Sequence, residues 1–98
     1  MSLRASVLLP ALLAFCVGCA FVPQKNLRLD DAQRAHAEAL ADPAVARLAP
    51  AELQTAADIL DRAGAARDTL QDAALVDHLS YLARQRVAIA REAARLRR

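Results

Sequence analysis

Cys16, Cys19, His36, His78 and Tyr81 are the side chains of this 98-residue chain whose chemistry reaches beyond simple charge. Cys16-x-x-Cys19 has the spacing of a thiol–disulfide pair, but such a pair belongs to a strand–helix–strand surround, which this sequence does not offer. His36 and His78 would supply two metal ligands if the helices carrying them packed side by side. Without a cysteine or a well-spaced carboxylate they make a weak zinc site, so no metal is expected. His78 and Tyr81, three residues apart, share one side of a helix and could form a polar binding spot or a pH-sensitive contact. The simpler expectation is an interfacial pair whose polar tips reach solvent. Asp30-Asp31 reads as charge placed at a helix start rather than as an acid–base pair. The sequence holds no Ser-His-Asp arrangement, glycine-rich phosphate loop or nucleophile elbow. Neither an enzyme nor a catalytic residue is therefore expected.

The cysteines have a better explanation in their surroundings. Arg4 is the only charge before Lys25, and an apolar run from Val7 to Val17 ends in small residues. A positive start, about ten apolar residues and a small-residue stop make the grammar of an export signal. Val17-Gly18-Cys19-Ala20 resembles the lipobox of bacterial lipoproteins, with Cys16 where leucine is usual. The resemblance implies cleavage before Cys19, a diacylglycerol thioether on its sulfur, and a further acyl chain such as palmitate on the new amino terminus. Residues 1–18 would be the signal, 19–26 a tether, and 27–98 the folded domain. Two or more chains anchor stably, at about 0.8 kcal/mol per buried methylene. Ala20, in place of the Asp that retains such proteins at the inner membrane, implies the inner leaflet of the outer membrane, facing the periplasm. The alternative is an uncleaved helix over the uncharged residues 5–24, just long enough to span a bilayer as a single pass. Pro10 and the small residues at 18–20 favour cleavage. No cofactor other than the lipid on Cys19 is expected.

The net charge of +2 hides a polarity along the chain. Residues 30–77 carry ten acids against four arginines, and residues 84–98 carry six arginines against Glu92 alone. Arg84, Arg91, Arg95 and Arg98 fall on one helix side, and with His78 and Tyr81 they make the candidate interaction surface. A basic helix of this kind suits an anionic partner such as phospholipid headgroups, lipopolysaccharide phosphates or acidic wall polymers. Favourable charge at the negative end of a helix explains it equally well. An exported chain seldom meets nucleic acid, so no nucleic-acid partner is expected.

Two glycines, no tryptophan and 3% aromatic residues argue against strands, and the periodicity is helical throughout. The fold class expected is all-α, three helices built on an antiparallel hairpin. A first helix runs over about Leu27–Ala41, with Leu29, Ala32, His36, Ala39 and Leu40 at spacings of three and four. Asp42-Pro43 ends it, and residues 43–49 form a linker with room for one helical turn capped by Asp42. Pro50 opens a second helix whose apolar face is Leu53, Ala56, Ala57, Leu60, Ala63 and Gly64. Asp58 and Arg62 are spaced for an ion pair, and Gly64 predicts close approach by a partner helix. A turn around Asp68–Asp72 leads to a third helix ending near Leu96. Leu75, Leu79, Leu82, Ile89, Ala93 and Leu96 follow a heptad seam in which Arg86 takes the missing place. Antiparallel closure predicts a structural pair between Glu52 and Arg86.

Ala49-Pro50-Ala51-Glu52-Leu53, the run Ala56 to Ala63, and His78-Leu79-Ser80-Tyr81-Leu82-Ala83-Arg84-Gln85-Arg86-Val87-Ala88-Ile89-Ala90 together resemble a family of proteobacterial lipoproteins. Its shared region is a helical domain of unknown function, and Ser80 stands where Ala is usual. Many members continue into a long coiled helix and an OmpA-like domain that grips peptidoglycan. This sequence ends at Arg98, so wall anchoring by that route is not expected. The resemblance implies an address and a fold, and it supplies no catalytic residue. The expectation is a small lipid-anchored envelope lipoprotein, a non-catalytic structural or interaction module. It would meet an unknown envelope protein, an anionic envelope polymer or a second copy of itself through the Leu75–Leu96 seam. An accessory regulator of an envelope enzyme or transporter is the other function class. A partner fits the size, since chains this small rarely hold more than about 3–5 kcal/mol alone.

Overall fold

A computed structural model describes residues 25–98, and the lipobox, Cys16, Cys19 and the apolar run all lie outside these. The described chain is all-helical. Helix α1 spans Leu27–Ala41, α2 spans Pro43–Leu48, α3 spans Pro50–Ala65, and α4 spans Ala73–Leu96. Between α3 and α4 the chain winds through a π-helical turn, Ala66–Leu70. No helix among the described residues is long and apolar enough to cross a membrane.

Each helix start has its own local cause. Asn26 caps α1, its Oδ1 accepting from the Leu29 amide at 2.9 Å, while its Nδ2 donates to Asp77 Oδ1 at 3.1 Å. One side chain thus caps α1 and ties it to α4. Asp42 stops α1 in extended backbone and caps α2 through the Ala44 amide at 3.0 Å. Pro43 and Pro50 take first-turn positions where no amide is needed. Asp72 caps α4 by accepting from the Leu75 amide at 3.1 Å. Just before it, Gln71 sits in left-handed backbone at φ 51°, a place usually given to glycine or asparagine.

The hairpin of α3 and α4 is the largest contact, with α1 laid along the groove between them and α2 packed across the far end. The core falls into two clusters. Near the turn, Leu29, Ala32, Leu60, Ala63, Ala66, Val76 and Ala83 pack together. At the far end are Ala39, Val45, Ala49, Leu53, Ala56, Val87, Ala90 and Ala94.

Four expectations about the hairpin need correction. The buried row of α4 is Val76, Ser80, Ala83, Val87, Ala90 and Ala94, one residue beyond the leucine seam at every position. Small side chains let the helix axes approach, so the row of valine, serine and alanine faces inward and the leucines flank it. Leu75, Leu79 and Leu82 are half-buried, and Ile89 and Leu96 are exposed. Glu52 pairs with Arg97, not with Arg86. The first arm continues to Leu70, so the hairpin closes at Gln71–Asp72 and Glu52 lies level with a later part of α4. The one-residue phase change, about 100° of rotation, also turns Arg86 out to solvent. Finally, a Cβ added at Gly64 would meet nothing within 4 Å, so no helix approaches closely there. The predicted Asp58–Arg62 pair gives way to a hydrogen bond from Gln54 Nε2 to Asp58 Oδ1 at 3.0 Å.

Candidate interaction surface

Three strips run along α4. The inward strip is the row just described. One flank carries the heptad-spaced Leu75, Leu82, Ile89 and Leu96, and the other carries Arg84, Arg91 and Arg95, with Arg98 just past the helix end. All four of these arginines are exposed, as expected. Arg84 lines a cleft of about 160 Å³ between α1 and α4 with Arg28, Asp31, Asp77, Ser80 and Tyr81. In that cleft Arg28 and Asp77 lie 3.9 Å apart, and Asp31 is bound by Arg34 at 3.2 Å. Arg95 is held by Glu92 one turn earlier. Its hydrogen bond holds the Glu92 carboxyl below the usual range, and the carboxylate in turn raises Arg95 further.

Tyr81 is 57% exposed, and its hydroxyl accepts from Gln85 Nε2 at 2.7 Å. His78 is exposed beside it on the same helix. Both side chains therefore stand largely in solvent. His36 sits elsewhere, half-buried between α1 and α3, with Nε2 3.2 Å from the Leu53 carbonyl; it donates there in the Nε2–H tautomer. Leu53 belongs to the far core and His78 lies next to the turn core, so the fold does not bring the two histidines together. Among the described residues no three His, Cys, Asp or Glu side chains group as metal ligands.

Arg97 is the functional side chain that periodicity missed. Its Nη1 donates to the Leu48 carbonyl at 2.8 Å and to Glu52 Oε1 at 2.7 Å. It thereby satisfies a C-terminal carbonyl of α2 and a carboxylate in the first turn of α3 from the end of α4. The guanidinium holds the Glu52 carboxyl below its usual range. Asn26 was also overlooked, although an asparagine directly before an apolar-periodic run is a readable helix-cap signal. Buried Ser80 donates to the Val76 carbonyl at 2.7 Å, one turn back on its own helix, which lets it stand in a row of small apolar residues.

No curated protein and no solved structure matches the chain. A family model does match, over residues 27–98, and its description is a domain of unknown function, DUF4398.

Proposed function

The chain belongs to the DUF4398 family, and on that premise we propose that it is a lipid-anchored, non-catalytic interaction module of the cell envelope. It is cut before Cys19, acylated there, and held at the inner leaflet of the outer membrane with the helical bundle in the periplasm. It uses no cofactor beyond that lipid and binds no nucleic acid. The observation that carries the module reading is the apolar row Leu75, Leu82, Ile89 and Leu96. These residues recur every seven positions on a flank of α4; Leu75 packs against the edge of the turn core and Leu82 is half-buried, while Ile89 is 46% and Leu96 75% exposed. Apolar side chains at heptad spacing suit a second helix, and the occupant that fits is the same row of a second copy. Sedimentation equilibrium of the detergent-solubilised protein tests it: a dimer that the Ile89→Arg, Leu96→Arg variant reduces to monomer is expected. A strictly monomeric wild type at high concentration ends the self-pairing. The anchor is tested by intact mass, expected to equal residues 19–98 plus diacylglycerol and an acyl chain.

A further inference from the structure

Beside the start of α1 lies a cleft of about 230 Å³, bordered by Lys25, Asn26, Arg67, Gln71, Ala73 and Val76. It forms where three segments meet: the entry to α1, the π-helical turn and the first turns of α4. Ala73 and buried Val76 supply its apolar side. The other four residues are polar, and what they offer is one-sided.

All four carry N–H donors, and none is a carboxylate. Lys25 is exposed and forms no ion pair with any described residue. Arg67 gives Nε to Asp68 Oδ1 at 3.0 Å, which leaves its two Nη groups to donate. Asn26 spends one Nδ2 hydrogen on Asp77 and keeps the other. Gln71 adds an exposed amide. The cleft beside Arg84 is different, because Arg28 and Arg84 share it with Asp31 and Asp77.

Carboxylates do stand near, and three of them are already engaged. Asp68 takes the Arg67 Nε, and Asp72 takes the Leu75 amide. Asp77 takes Asn26 and lies 3.9 Å from Arg28. Asp30, one turn into α1, adds another outside the lining. These acids offset the charge of Lys25, Arg28 and Arg67, so long-range attraction is small. What remains is a short-range convergence of donors from several directions, which calls for several acceptor oxygens on one ligand atom. A phosphate monoester presents three, whereas a carboxylate presents two in one plane. The cleft equals about seven waters at roughly 30 Å³ each, enough for a phosphate group and part of what carries it.

We infer that Lys25, Asn26, Arg67 and Gln71 form a binding site for a phosphate group, carried by a free phosphate or by a lipid headgroup. The site is complete within the described residues and requires no particular orientation of the bundle on a membrane.

The test is a heteronuclear NMR titration of the full protein in phosphate-free maltoside micelles. The probes are inorganic phosphate, glycerol phosphate, and glycerophosphoglycerol, the water-soluble headgroup of phosphatidylglycerol. Saturable shifts of the Asn26 and Gln71 side-chain amides are expected, with none from glycerol at the same concentrations. The Lys25→Gln, Arg67→Gln variant should bind about tenfold more weakly, and Arg47→Gln, on α2, should bind as wild type does. Lys25 precedes every described helix, so Lys25→Gln alone, expected to bind about threefold more weakly, decides the matter if the double variant does not fold. Tighter binding of the headgroup identifies a lipid as the source, and tighter binding of phosphate or its monoester identifies a free phosphate; either upholds the site. Absence of saturable shifts, affinity unchanged in the Lys25 variants, or acetate bound as tightly as phosphate overturns it.

Discussion

The core beside the hairpin turn is filled by Leu29, Leu60 and Val76 among four alanines, and the core at the far end by Leu53, Val45 and Val87 among five. Nine of the fifteen buried apolar residues are alanine, and five of those nine lie in the far cluster. An alanine removes little apolar area from water, so three larger side chains carry most of the burial in each half, and the far half adds a charged fastening. That fastening is Arg97, which binds α2 and α3 to α4 in a half-exposed setting. The turn half is fastened too, by the Asn26 amide on Asp77. One molecule thus joins two cores of similar make-up, one fastened through an amide and the other through an ion pair, and the two ends answer to different perturbations.

Leu29→Ala should have the largest effect, since Leu29 is fully buried and few neighbours can move in to fill the space. A loss of about 2–5 kcal/mol in chemical denaturation is expected, and less than 1 kcal/mol would mean that packing does not dominate the turn half. Ala90→Leu attacks the other core from the opposite direction. It forces a larger side chain into a fully buried site between close helices and should cost about 1–3 kcal/mol. A neutral result would show that the far core is loosely filled.

Acid sharpens the contrast. A carboxyl lowered in the folded state contributes stability that is complete above its unfolded pKa, roughly 4.3 for glutamate. That contribution disappears as pH falls through the lower folded value. Glu52 is such a group, so Tm should decline as pH drops below about 4, and Glu52→Gln should flatten that decline. Hydrogen exchange should show the amides of residues 44–48 opening first, ahead of those around Leu29. Equal opening at both ends would remove the distinction. The smallest effect should be a gain: Gly64→Ala, in helical backbone with open space at the Cβ position, should add about 0.4–1 kcal/mol.

The helix boundaries were legible because proline and capping residues punctuate this chain strongly. Leu27, Ala41, Pro50 and Leu96 bound helices where periodicity and Pro43 placed them. The rotation of α4 was not legible. Its leucine row and its small-residue row both follow spacings of three and four, and hydrophobicity alone prefers the leucines. Only the closeness of the helices, which depends on the alanines of α1 and α3, selects the smaller row. The partner of Glu52 was hidden for a related reason, since it depends on where the hairpin closes, and no residue of Ala66–Leu70 announces a π-helical turn. Of the candidate surface, the exposure of Arg84, Arg91, Arg95 and Arg98 followed from the pattern. The structural employment of Arg97 did not, because its partners come from two other helices.

The π-helical turn at Ala66–Leu70 begins on the last buried residue of the first arm, Ala66, and runs to the hairpin bend. A π-helical turn holds one more residue than the α-helical turn it replaces, so it absorbs extra chain without moving the helices on either side. Leu60, Ala63 and its first residue, Ala66, face the core in step; its last residue, Leu70, stands in solvent. Chain length in this segment is thereby uncoupled from the registration of the two arms. Across relatives, gains and losses of single residues should collect between Ala66 and Asp72 and spare the rest of the hairpin.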